Sequence, residues 1–372
     1  MKRKLGVTLM ATLTVTLALW TSSTAFAAKA AAPSAADEAH PQLTPTAVTG
    51  AAGYLWMLGT YACATGTCWA MMRSTDGGKT FVRVTYPSAF GPGWTVGGKS
   101  FWFANADDGY LYVSSSSTFG LYWTWNGGKT WRLIQPGGSR AWRDSPVSGP
   151  LASPIVTTEG RAYVLVLEGC STYRCKSVAL ASSPVGRDSW TTRPIPLDEA
   201  TSSAGLAAFG STVWLIETLD GGSMAHVFVS DNGGKGFSNL PTKGMLGGSC
   251  TATATSITTL WGYCIGGNTG SAVRSTDGGR VCKGLPGTGS PNASSILPIS
   301  DDEAVFLDET STHLWLTRDG GTHFTSVLSN VPGGGYVAFA SKTTWLVLGS
   351  GSRLWRTTNG GNTWQPVKAP RV

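Results

Sequence analysis

A chain of 372 residues with 41% hydrophobic residues can bury a large core, while its 13% of charged residues is about half the usual share. Its 49 glycines, with abundant Ser and Thr, favour short strands and tight turns and argue against long helices. Of a formal charge of +7, Lys2, Arg3 and Lys4 carry three units, and the near +4 left on the remainder is too thinly spread for a nucleic-acid-binding face.

The first element is residues 1–27. Lys2, Arg3 and Lys4 precede an uncharged apolar run from Leu5 to Trp20, and Ala25-Phe26-Ala27 supplies a small-x-small cleavage pattern. This order of charge, apolar run and small residues reads as a secretory signal peptide. Residues 28–42, rich in Ala and Pro and without periodicity, read as a flexible leader. The folded domain is expected over 43–372.

From there one motif recurs. Ser74-Thr75-Asp76-Gly77-Gly78-Lys79-Thr80-Phe81 is its first copy, and Thr124-Trp125-Asn126-Gly127-Gly128-Lys129-Thr130-Trp131 its second. Further copies begin at Ser230, Ser275, Thr317 and Thr357, with Asn232, Asp277, Asp319 and Asn359 in the third position. A worn copy, Ser183 to Trp190, fills the long interval between the second and third. The seven copies lie 40 to 59 residues apart, a period of solenoids, propellers or arrays.

Between motifs the chain alternates short apolar runs with Gly/Ser/Asp turns. In the last repeat these are Tyr336–Ala340, Thr344–Leu348, Arg353–Arg356 and Trp364–Val367. Four short antiparallel strands per repeat, arranged radially, make a propeller blade. The predicted fold is therefore all-β, a seven-bladed propeller with the motif between the third and fourth strands of each blade. The Asp or Asn can accept backbone N–H groups of its own turn, the glycines permit positive φ, and the closing aromatic packs inward. Trp56, Trp214, Trp261 and Trp345 recur at one position of the second strand and read as core.

The motif resembles the Asp-box, or bacterial neuraminidase repeat, Ser/Thr-x-Asp-x-Gly-x-Thr-Trp. The likeness spans about residues 43–368. It implies a propeller like those of sialidases and of photosystem II assembly factors, with the box as architecture on the face away from the ligand. Asp76, Asn126, Asn232, Asp277, Asp319 and Asn359 are then structural.

Seven cysteines remain to be placed. Cys63 with Cys68 and Cys170 with Cys175 share one spacing, each at a turn from second to third strand. Cys250 and Cys264 fall on neighbouring strands of the fifth repeat. Three disulfides, Cys63–Cys68, Cys170–Cys175 and Cys250–Cys264, suit an exported protein. Cys282 stands alone where other copies carry an aromatic, and reads as a small buried residue.

Catalytic signatures are thin. Sialidases of this architecture grip a carboxylate with three arginines, largely from innermost strands, and the inner strands here contain no Arg. Asp107, Asp108, Glu159, Asp301, Asp302 and Glu303 could supply a glycosidase pair, but their turns lie on the motif side. His40, His226, His313 and His323 are scattered, and neither a catalytic residue, a metal site nor a cofactor is assigned. The ligand face is expected opposite the motifs, where Trp94, Arg140, Trp142, Arg143, Asp144, Tyr173 and Arg174 cluster in long connections and one turn. The reading is a monomeric, exported, non-catalytic scaffold for a glycan, an envelope component or a protein. A sialidase-like glycoside hydrolase is the first alternative, and an assembly or stability factor the second.

Overall fold

The computed structural model describes residues 41–64, 66–87, 101–114, 119–136, 155–156, 160–168, 177–197, 201–219, 224–243, 249–266, 269–285, 293–308, 312–331 and 335–372. These residues form a seven-bladed β-propeller. Each blade is one antiparallel sheet of four strands taken in sequence order, with no strand exchanged between blades. Blade 1 is Thr44–Ala51, Tyr54–Cys63, Gly66–Ser74 and Val82–Val84. The innermost strands of blades 2 to 7 are Phe101–Phe103, Ile155–Val156, Thr201–Phe209, Ser249–Ala254, Ala293–Pro298 and Tyr336–Phe339. Apart from one short 3-10 turn at Ser350–Ser352, the described residues contain no helix.

Burial runs from the middle of each sheet outward. Second strands lie between two neighbouring sheets and are apolar on both faces, as in the run Leu55-Trp56-Met57-Leu58, wholly buried. Fourth strands form the rim and are short and exposed, such as Val82-Arg83-Val84. Alternate residues of one strand serve different interfaces. Leu55 and Met57 pack towards blade 7, while Trp56 and Leu58 pack towards blade 2. Trp56, Trp214, Trp261 and Trp345 are at most 1% exposed. Truncating any one to Ala would cost about 3–5 kcal/mol.

Glycine sets the spacing at the centre. A Cβ on Gly205 would lie 2.8 Å from the Cys250 carbonyl oxygen of the next inner strand, so the two backbones touch there.

Ring closure rests on both ends of the described chain. Leu43 N–H donates to Pro370 O at 2.9 Å and Val372 N–H to Pro41 O at 3.0 Å, about an antiparallel bridge between Gln42 and Arg371. Leu43, Val48, Leu55 and Met57 share a core with Ala338, Leu346, Leu348 and Leu354, and Ala369 and Val372 cap it. Because blades 1 and 7 share no sheet, this seam depends on packing and a few bonds. Deleting residues 369–372 should cost about 3 kcal/mol, from two lost hydrogen bonds and the apolar cap. Urea unfolding should show a lower midpoint without a change of folded secondary structure by circular dichroism.

Candidate functional site

The six complete motif copies share one hydrogen-bond pattern. The first hydroxyl accepts the N–H of the second glycine at 2.8 to 3.0 Å. It donates to Oδ1 of the third residue at 2.8 to 3.1 Å. That oxygen accepts the N–H four residues on at 2.9 to 3.1 Å. The second side-chain atom adapts to its identity. Asp76 Oδ2 accepts from the Thr80 hydroxyl at 2.6 Å, whereas Asn126 Nδ2 and Asn359 Nδ2 donate to Thr130 and Thr363 at 2.8 Å. Both glycines have positive φ, 66 to 75° for the first and 79 to 95° for the second.

The first glycine also joins the molecule together. Its N–H donates to the turn between first and second strands of its own blade: Gly127 to Asp107 O, Gly233 to Ser211 O, Gly278 to Thr258 O, Gly320 to Asp302 O and Gly360 to Thr343 O, at 2.8 to 2.9 Å. In four copies its carbonyl accepts from the preceding blade. Trp56 Nε1 reaches Gly127 O at 3.5 Å, Trp214 Nε1 reaches Gly278 O at 3.0 Å, Arg274 Nη1 reaches Gly320 O at 3.1 Å and Arg318 Nη2 reaches Gly360 O at 2.7 Å. The second glycine backs onto that preceding blade as well. A Cβ on Gly321 would stand 2.7 Å from Leu285 Cδ2.

These carboxylates are structural acceptors, and their proton affinity shows it. At Asp76 partial burial acts to raise the pKa, but bonds from the Thr80 hydroxyl and N–H, the Ser74 hydroxyl and Lys79 N–H outweigh it and hold the group well below the usual range. At Asp277 the Val281 N–H leads in lowering it. The His323 N–H and imidazole hold Asp319 at about 2. An unfolded Asp titrates at about 3.9. The folded values lie lower, so this stabilisation is complete above the unfolded value and is lost as pH falls through the folded ones. Between about pH 4 and 2, wild-type stability should fall more steeply than that of the Asp76→Asn/Asp277→Asn/Asp319→Asn variant, measured by thermal melts across that range.

The worn copy in blade 3 keeps the own-blade anchor: Val185 N–H donates to Gly160 O at 2.6 Å. Ser183 Oγ closes the turn by donating to Arg187 O at 2.7 Å and accepting Ser189 N–H at 3.2 Å. Blade 5 departs differently. Cys282 occupies the aromatic slot and lines a cavity of about 30 Å³ with Trp214, Ile216, Leu260 and Cys264. Burial, with the Asp277 charge second, pushes its thiol up to about 11. Alkylation at pH 8 should therefore spare Cys282 in the folded protein and modify it on unfolding, read by mass spectrometry of that peptide.

The anticipated ligand-face residues Trp94, Arg140, Trp142, Arg143, Asp144, Tyr173 and Arg174 lie outside the described residues, as do Glu159 and the Cys170–Cys175 pair. Cys63–Cys68 and Cys250–Cys264 are disulfides, the latter across directly paired positions of adjacent strands. Such bonds belong to an oxidising, extracytoplasmic compartment. Among the described residues no helix is long and apolar enough to cross a membrane, and no three His, Cys, Asp or Glu side chains converge as a metal site.

The other candidate carboxylates stand in turns between first and second strands, at the motif end. Asp301 accepts from the Thr255 hydroxyl at 2.6 Å and Asp302 pairs with Arg274 at 2.8 Å, both from blade 5 to blade 6. Glu303 pairs with Arg318 at 2.9 Å. Asp108 is held by Asn105 Nδ2 at 2.9 Å. Asp301, Asp302 and, through Arg318, Glu303 serve the joints.

Towards the opposite end the structure adds two features. Glu217, with its side chain wholly buried, lies 3.0 Å from Nδ1 of the half-exposed His226. Its one trace in the sequence is a charge at an inward position of the apolar strand Thr212–Leu219. Beside the Cys63–Cys68 turn, Arg83 Nη2 donates to Tyr61 OH at 3.3 Å, and burial, with Tyr61 second, pushes the Tyr86 phenol up.

No family model and no curated protein sequence matches the chain. Solved structures do. A YCF48 protein bound to a D1 peptide aligns with a TM-score of 0.52 at 15% identity, over 86% of this chain and 93% of that one. A prolyl endopeptidase aligns with a TM-score of 0.61 at 11% identity, over 87% and 49%. A puromycin-hydrolysing peptidase of Mycobacterium tuberculosis gives 0.58 at 13%, over 88% and 54%. The chain spans about half the length of these peptidases. At such identities the likeness is one of fold.

Proposed function

We propose that the chain is an Asp-box propeller exported by cleavage after Ala27, working as a monomeric, non-catalytic scaffold that binds a protein segment on the face opposite the repeated turns. The observation that carries this reading is the commitment of the turn-end carboxylates. The repeat acids close their own turns, while Asp301, Asp302 and Glu303 hold inter-blade or turn contacts. A group tied into a joint cannot also swing onto a substrate without loosening the ring. The peptide carried by the YCF48 neighbour favours a protein segment over a glycan at the ligand face, and agrees with an assembly-factor role. The Trp142 and Arg143 connection supplies the residue types that anchor such a segment.

The protein should fractionate with the envelope or medium and begin at Ala28 by N-terminal sequencing. On an array of tiled peptides from exported proteins it should retain specific members, and the Trp142→Ala/Arg143→Ala variant should lose them. Hydrolysis of a fluorogenic glycoside, abolished by a single carboxylate substitution, would replace this reading with an enzyme.

A further inference from the structure

The junction between blades 4 and 5 is underfilled. Six copies of the motif close on an aromatic, and in blade 5 the small Cys282 stands there instead, beside its cavity of about 30 Å³. A second hollow, a cleft of about 600 Å³, opens between the same two blades at the motif end. Trp214 lines both. Sites that hold small molecules measure about 300–1,000 Å³. Phe237, Val229 and Asp231 line the cleft from blade 4, and Ile257 and Arg280 line it from blade 5.

Three of these residues depart from the repeat. Ile257, 61% exposed, precedes the residue whose carbonyl anchors the first glycine of its blade. Ala106, Gly210, Asp301 and Lys342 hold that place in other blades. With Val281 on the neighbouring turn, this junction carries two of the five exposed large hydrophobics among the described residues. Asp231 is the one acid at the second motif position, where three copies have Thr. Its backbone carbonyl accepts from Ser211 Oγ at 3.1 Å, and its carboxylate makes no ion pair among the described residues. Arg280 gives Nη1 to the Asp277 carbonyl of its own turn at 2.9 Å, and its other donors have no partner among the described residues. Asp277 is itself tied to Ser275 and Val281. The cleft thus has an acid on one wall and a base on the other, not paired with each other, and exposed apolar surface between turns.

We propose that this cleft binds a short apolar peptide with both termini free, its ammonium on Asp231, its carboxylate on Arg280 and its side chains against Ile257 and Phe237. The charges select the class. An anion would suit Arg280 but meet Asp231, and a cation the reverse. A zwitterion with an apolar body answers both walls, and the guanidinium fork matches a carboxylate. The site lies at the motif end, away from the face proposed above for a protein segment, so either assignment can fail alone.

The test is calorimetric titration with Leu-Phe and Leu-Phe-Leu, beside their N-acetylated and C-amidated forms. Each residue adds about 3.3–3.6 Å of reach, so the two lengths gauge the gap between the charges. One free peptide should saturate, and blocking either terminus should weaken it about tenfold. Three variants borrow residues from sister copies, and their melting temperatures should match wild type. In Asp231→Thr the penalty for acetylation should vanish, in Arg280→Asn the penalty for amidation should vanish, and Ile257→Ala should weaken every form several-fold. The Trp142→Ala/Arg143→Ala variant should bind as wild type does. The proposal is overturned if neither free peptide saturates at millimolar concentration, or if blocked peptides bind as well as free ones. It is equally overturned if the blocking penalties persist in Asp231→Thr and Arg280→Asn, or if binding is lost in Trp142→Ala/Arg143→Ala.

Discussion

The fold hangs on the first glycine of a repeated turn. Its positive φ points N–H and C=O in directions an L-residue adopts only with strain, and the two groups then serve different bodies. The N–H ties the turn to its own blade, and the carbonyl accepts from the blade before. A propeller without strand exchange needs such joints. Each blade is a small sheet with two apolar faces, and nothing in its own backbone ladder reaches its neighbour. Packing of Trp214 or Trp56 supplies the attraction between sheets, but hydrophobic contact is non-directional. At four junctions the Trp Nε1 or Arg bond to the glycine carbonyl fixes the register of one blade on the next.

This explains which part of the motif varies. The third residue is Asp in three copies and Asn in three, because the shared requirement is one side-chain oxygen accepting the hydroxyl and an N–H. Thr80 and Thr130 reverse their roles to suit. The paired glycines are kept in all six complete copies. In blade 3, where the pair is lost, the anchor to the own-blade turn persists through Val185, while Tyr110 opposite it finds no acceptor among the described residues. The half of the joint made within a blade survives wear. The half made between blades does not.

The architecture was legible because repetition multiplies a weak local signal. One Ser-Thr-Asp-Gly-Gly is only a turn, but seven in phase, each after an apolar run, leave few folds. The Cys250–Cys264 pairing followed from the same alignment, since first and second strands of a blade must face each other. The role of the glycine carbonyl was not legible. Its donors are Trp on the second strand at some junctions and Arg on or beside the third at others, at separations of 42 to 71 residues, so no fixed spacing marks them. Glu217 is hidden in the sequence for a related reason. A lone acid in Thr212–Leu219 looks like a surface position, yet its side chain is wholly buried against His226.

Function is harder to read than fold here because the repeat consumes the very residue types that mark active sites. Asp, Arg, Ser and His all appear at fixed spacing around the turn end, and most are engaged: Asp319 with Thr317 and His323, Arg274 with Gly320 and Asp302, Asp301 with Thr255. A census of polar residues therefore overstates the chemistry available. The useful signal is the exception, a polar group that the repeat predicts to be satisfied and that is not. Tyr110 meets that description, since it stands where Trp56, Trp214 and Trp261 each find a carbonyl on a later turn or blade. The exception follows from the worn copy in blade 3, which has lost the paired glycine whose carbonyl serves four other junctions.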